Sequence, residues 1–147
     1  MLTAAQIDLI RISFDQLIEQ GDATTTGFYD RMFELEPRLR FLFPHDIAET
    51  KQRVMTMIGY VVRNLDRWEN VEPRLLNLGR RHHTYGVRER DYTVFGEAVL
   101  DVLACRLNVG RDSDLATAWA ELYNRVAGTM IEAAHDEEAP SPVLSEC

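Results

Sequence analysis

The sequence predicts an all-α fold. Apolar residues recur three and four positions apart along most of its length, turn formers interrupt that pattern at intervals, and no run alternates polar and apolar residues for long enough to make a strand. With 147 residues the chain suffices for one domain with a true core. Its 46% apolar and 27% charged residues suit a globular protein rather than a disordered one. We expect residues 1–136 to form that domain. Residues 137–147, of composition Glu-Glu-Ala-Pro-Ser-Pro onward, are expected to be a disordered tail.

The elements follow in order. Thr3-Ala4-Ala5-Gln6 has the form of a capping box, and Ile7, Ile10, Phe14, Leu17 and Ile18 follow at helical spacing. Gly21-Asp22 ends that helix. A second runs from Thr24 to Leu35, and Pro37 then opens a short turn closed by Phe41, Leu42 and Phe43. After the loop Pro44-His45-Asp46, a helix from Ile47 to Asp66 places Thr50, Val54, Ile58, Val61 and Leu65 on one face. Pro73 is expected to open a helix to Tyr85, with Leu75, Leu78, Gly79 and His82 on one face and Gly86 as its stop. Arg88 to Leu107 carries Tyr92, Phe95, Val99 and Leu103 in register. Asn108-Val109-Gly110 breaks the pattern. Asp112 or Ser113 caps a last helix to about Ala134.

Composition excludes several functions. The formal charge is −8, from 24 acidic and 16 basic residues, so the chain gains nothing from a phosphate backbone and nucleic acid is not expected as a partner. No stretch reaches the about 20 apolar residues of a membrane span, and the start is amphipathic rather than a leader. Cys105 reads as a small core residue and Cys147 lies on the tail. A structural disulfide is therefore not expected, and a reducing cytoplasm is.

No glycine-rich phosphate loop, Cys-x-x-Cys or His-Glu-x-x-His is present. Histidine is the informative residue. His82 shares the apolar face of Leu75 and Leu78, whereas His83 points about 100° away. Spacing alone leaves His82 open between a hydrogen-bonded core residue and a metal ligand. The facing helix offers only Thr50 as a polar group on its stripe. Phe41 and Phe43 before it, and Tyr92 and Phe95 after Gly86, would wall a flat apolar cofactor. Arg53 and Arg81 would reach acidic groups at its rim. Together these residues outline a slot with one nitrogen ligand.

Over residues 3–134 the chain resembles the globins, and specifically the haem domain of bacterial flavohaemoglobins and their single-domain relatives. The resemblance rests on Phe28-Tyr29-Asp30-Arg31-Met32-Phe33, on Pro37 followed six residues later by Phe43, and on Leu78-Gly79-Arg80-Arg81-His82 with Tyr85-Gly86-Val87 behind it. It implies a helical sandwich around haem b, iron protoporphyrin IX. His82 would be the proximal iron ligand, its other ring nitrogen donating to a carbonyl near Leu78. Phe43 would stack on the porphyrin. Leu78, Val87, Tyr92 and Phe95 would pack on the proximal side, and Tyr29, Thr50 and Val54 would line the distal side. Tyr29 then either donates to a bound gas or is a core tyrosine tied to backbone.

The sequence departs from these relatives at three places. Thr50 replaces the usual glutamine or histidine and is too short to reach iron, so a five-coordinate site is implied, with His45 an alternative ligand from the loop. Ala134 stands where a glutamate is thought to assist the proximal histidine, with Glu132 two residues away. No flavin or nicotinamide domain is expected, so an external reductase is the expectation. The implied function is reversible binding of dioxygen, and of carbon monoxide and nitric oxide, as in oxygen transport. A nitric oxide dioxygenase, serving nitric oxide detoxification, and a gas sensor acting through a partner are the alternatives.

Overall fold

A computed structural model describes residues 2–138, which form six α-helices and one 3-10 turn with no strand among them. Helix α1 spans Ala4–Glu19. Its capping box is formed: Gln6 N–H donates to Thr3 Oγ1 at 3.1 Å, and Thr3 N–H donates to the Gln6 side chain at 2.9 Å. Gly21, at φ +68, turns the chain into α2, Ala23–Leu35. The 3-10 turn Pro37–Leu42 follows, then α3, Ala48–Arg63, and α4, Trp68–Thr84. Helix α5 is Glu89–Leu107 and α6 is Asp114–Glu138, the latter capped by Ser113, whose Oγ accepts from Ala116 N–H at 3.1 Å.

Helix α4 packs chiefly on α6, and α2 on α5. One residue governs the first contact. A Cβ at Gly79 would lie 2.4 Å from the Met130 carbonyl oxygen, so the two backbones touch there. Helices α3 and α4 are consecutive in the chain but pack little on one another. Helix α3 rests on α1 and α2 instead; Tyr60 Oη–H donates to the Asn70 carbonyl at 3.1 Å where α3 meets α4, and the remaining stretch, where the two share few contacts, corresponds to the expected slot.

The core beneath the slot is apolar, with Ile10, Phe28, Val71 and Leu75 fully enclosed. Its polar tie is Trp119 Nε1–H donating to Ser13 Oγ at 2.9 Å. Phe28, Ile58, Val99 and Trp119 wall a small void of about 20 Å³. No helix among the described residues is long and apolar enough to cross a membrane.

The structure corrects several expectations. Pro73 lies inside α4 rather than opening it; the Glu69 carbonyl that loses its N–H partner belongs to an exposed residue, so the lost bond does not leave a buried polar group. Helix α3 stops at Arg63 instead of Asp66, because the Asn64 side chain turns back to donate to the Tyr60 carbonyl at 2.9 Å. Helix α6 runs on through 137 and 138, two residues into the stretch expected to be a tail. The rest of that stretch, Cys147 included, lies outside the described residues. Cys105 is exposed, not core: two positions on from buried Leu103 is about 200° around the helix. Phe41 is 89% exposed and walls nothing, since in a three-residue-per-turn helix it shares the outward face of Arg38.

Alanine ordinarily favours a helix over glycine by about 1 kcal/mol. At Gly79 the Met130 clash reverses that sign, and Gly79→Ala is expected to destabilise the protein by about 1–3 kcal/mol. Urea unfolding checks this; an unchanged or higher midpoint would mean that α4 and α6 do not meet there.

Candidate functional site

His82 stands on the last turns of α4, partly buried on the face that looks into the slot. Its Nδ1–H donates to the Leu78 carbonyl at 2.9 Å, one turn back. That bond orients the ring and assigns the proton to Nδ1, so Nε2 presents its lone pair and has no hydrogen-bond partner. Burial pushes the His82 pKa down, and the nearby Arg81 charge adds to this, against the Leu78 bond. The ring is therefore neutral, the form that ligates metals.

Tyr92, from α5, stacks on His82 with ring centroids 6.3 Å apart and planes 27° from parallel. Its hydroxyl is buried without a partner, and burial raises its pKa to about 12. The Tyr92 carbonyl accepts from Tyr123 Oη–H at 2.6 Å, while the Tyr123 ring lies where a Cβ on Gly96 would sit, 2.6 Å away. Leu78 and Val87 are half-buried beside His82. The Val87 and Tyr85 N–H groups both donate to the His82 carbonyl, at 3.0 and 3.1 Å.

Tyr29, from α2, is 3% exposed. Phe43 meets its ring edge-on at 5.5 Å, Phe95 lies at 5.8 Å and Phe33 at 6.2 Å. Its hydroxyl makes no hydrogen bond to any described residue, which removes the reading of a core tyrosine tied to backbone. Burial raises its pKa to about 12, so it remains a protonated donor. Val54, from α3, packs into the same cluster. Thr50, one turn earlier on α3, is half-buried.

The sequence-predicted set is thus largely assembled, with differences. Phe95 touches Tyr29 and Phe28 as well as Tyr123, so it is the floor joining the two walls rather than a proximal residue only. Arg53 is 75% exposed and paired with Glu49. Arg81 and His45 are both exposed. Phe33, Leu39 and Ile47 join the Tyr29 cluster and were missed. Phe33, four positions after Tyr29, was the one with a readable signal.

Among the described residues, no three His, Cys, Asp or Glu side chains are grouped to hold a metal ion. The fold and the slot define an all-helical protein with a single histidine nitrogen facing a gap between two helices. A family model described as Globin matches residues 26–130. Neuroglobin-1 of Oncorhynchus mykiss is 32% identical over 143 residues, covering 88% of this chain and 90% of that protein. The flavohemoprotein of Chromobacterium violaceum is 30% identical over 135 residues, covering 89% of this chain but only 33% of that protein. A bacterial globin structure from Campylobacter jejuni superposes with a TM-score of 0.82 at 24% identity, over 92% of this chain and 99% of that one. The chain belongs to the globin family. The neuroglobin likeness, over nearly the full length of those relatives, is one the motifs had not indicated.

Tyr123→Phe keeps the ring that fills the space at Gly96 and removes one hydrogen bond. A loss of about 0.5–1.5 kcal/mol in chemical unfolding is expected. No loss would show that the bond to the Tyr92 carbonyl does not hold α5 in place.

Proposed function

We propose that this globin binds haem b through His82 and reversibly binds dioxygen, and also carbon monoxide and nitric oxide, on the opposite side of the slot. The observation that carries the reading is His82 itself: an oriented, neutral imidazole whose Nε2 has no hydrogen-bond partner among the described residues, on a helix that packs little on α3. A lone imidazole does not retain a bare metal ion, whereas a porphyrin brings four further nitrogens. Bound haem would supply an iron that His82 holds and that takes up a diatomic gas.

The chain's own residues supply the rest. The Leu78 carbonyl fixes the His82 tautomer and keeps Nε2 aimed into the slot. Leu78, Val87 and Tyr92 support the proximal face. Phe43 and Val54 line the apolar distal side, where water is excluded and polar contacts strengthen. The partnerless Tyr29 hydroxyl would donate a hydrogen bond to a bound gas, and Thr50 would be too short to ligate the cofactor itself. Arg81 and Arg53 are assigned to the acidic edge of the cofactor, Arg53 after exchanging its Glu49 partner. Exposed Cys105 fits a reducing cytoplasm.

A nitric oxide dioxygenase draws on the same Tyr29 donor and differs in needing an external reductase for each turnover. Mixing dioxygen-loaded protein with nitric oxide in a stopped flow, with and without a reducing system, separates sustained turnover from a single reaction.

Two results test the main reading. His82→Ala is expected to abolish haem uptake, read as loss of the Soret band after reconstitution; a variant that still takes up haem with an unchanged spectrum would place the ligand elsewhere. Tyr29→Phe is expected to leave haem content intact and raise the dioxygen off-rate by roughly 2- to 13-fold, from a hydrogen bond of about 0.5–1.5 kcal/mol. An unchanged off-rate would remove Tyr29 from the distal role.

A further inference from the structure

The corner where the 3-10 turn meets the α4–α5 connection stands apart from the rest of the surface. Leu42 and Gly86 approach there, a Cβ on Gly86 falling 3.7 Å from Leu42 Cδ2. Beside them lies an open cleft of about 200 Å³. Leu42, 38% exposed, lines the cleft, and the residues next in sequence to Leu42 and Gly86 are also exposed and apolar: Phe41 at 89% and Tyr85 at 68%. Apolar side chains left this open, next to a cleft, mark a contact surface rather than scattered exposure.

The charge of the corner is opposite to that of the chain. Arg38, Arg88 and Arg90 line the cleft with two carboxylates, Glu36, which accepts from Arg38 at 2.9 and 3.1 Å, and Asp91; Glu89 is exposed beside them, and Arg80 and Arg81 lie exposed on the last turns of α4, so arginines outnumber carboxylates in these segments. The whole chain carries −8. An apolar centre with an arginine rim has the composition of a transient protein interface. Two copies of this corner facing each other would bring like charges together, so a symmetric dimer is disfavoured. An acidic partner is attracted.

From this juxtaposition we infer that the corner docks an acidic electron-carrier protein bearing a reduced flavin; the inference rests on the haem reading above. Gas binding and dioxygenase turnover both require ferrous iron, so the chain needs a one-electron donor. The corner is bonded directly to the proposed ligand, since the Tyr85 and Val87 N–H groups donate to the His82 carbonyl. One electron leaves the carrier's flavin hydroquinone, which becomes the semiquinone, and reduces ferric iron to ferrous; no atoms are exchanged. Redox encounters use small interfaces steered by charge, and a corner of this extent suits one.

The test uses the haem-loaded protein with flavodoxin, an acidic flavoprotein, as the probe. In its carbon monoxide-bound ferrous form the ¹⁵N-labelled protein is titrated with oxidised flavodoxin, so that binding is read by NMR without electron transfer. The expected shifts cluster at residues 36–42 and 85–91 and disappear in high salt. Reduction of the ferric protein by flavodoxin hydroquinone is then expected to slow by about tenfold or more in an Arg38→Glu, Arg90→Glu double variant. It is expected to slow likewise in Phe41→Ser, while reduction by the small neutral lumiflavin semiquinone stays unchanged.

Shifts centred elsewhere, or variants that alter both reductants alike or neither, overturn the docking surface. Sedimentation showing that the free protein dimerises through these same residues assigns the corner to a second copy and also overturns it. Either failure with a normal Soret band leaves the haem reading intact. Failure of the parent protein to take up haem overturns both.

Discussion

The contact on which the arrangement depends is the meeting of α4 and α6 at Gly79 and Met130. Two helix backbones seldom come so close, and they do so here because Gly79 has no side chain to hold them apart. The contact commits α4 to α6. That leaves α3 to lean on α1 and α2. The slot is the consequence: the two helices that frame it each have a better partner elsewhere. His82 lies three residues beyond Gly79, so its distance from the opposite wall is set by the same pair of backbones. Tyr123 performs a parallel service for α5, with Gly96 admitting its ring and the Tyr92 carbonyl receiving its hydroxyl.

Polar atoms in protein interiors are nearly always satisfied. Among the described residues two buried hydroxyls are unpaired, that of Thr24 beside the small void and that of Tyr92, whose ring stacks on His82. Nε2 of His82 and the hydroxyl of Tyr29 also make no hydrogen bond to a described residue. Their environments divide the work: desolvation keeps the imidazole neutral and able to accept a metal, and keeps the phenol protonated and able to donate. The Phe33, Phe43 and Phe95 rings hold Tyr29 by edges and tilts rather than by hydrogen bonds, leaving its hydroxyl uncommitted.

The helices were legible in the residues because helical spacing is local, and it recovered all six. The His82–Leu78 bond, which spans one turn, came from the resemblance. What escaped depended on neighbours far along the chain or on the last detail of register. Pro73 looked like a helix start because proline favours the first turn, yet buried Val71 and the ring of Trp68, lying under Arg125, extend α4 backwards past it. Cys105 and Phe41 carried the right residue type at the wrong angle. The floor role of Phe95 requires contacts to α2 and α6 together, which no single-helix pattern encodes. Leu39 and Ile47 joined the Tyr29 cluster for the same reason.

The small void between Phe28, Ile58, Val99 and Trp119 gives the core a particular mechanical character. Its lining atoms lack neighbours on one side and forgo dispersion contacts there. The native state therefore occupies slightly more volume than its atoms need. Unfolding admits water to that space and shrinks the system, so hydrostatic pressure acts on this defect in a way that heat and urea do not.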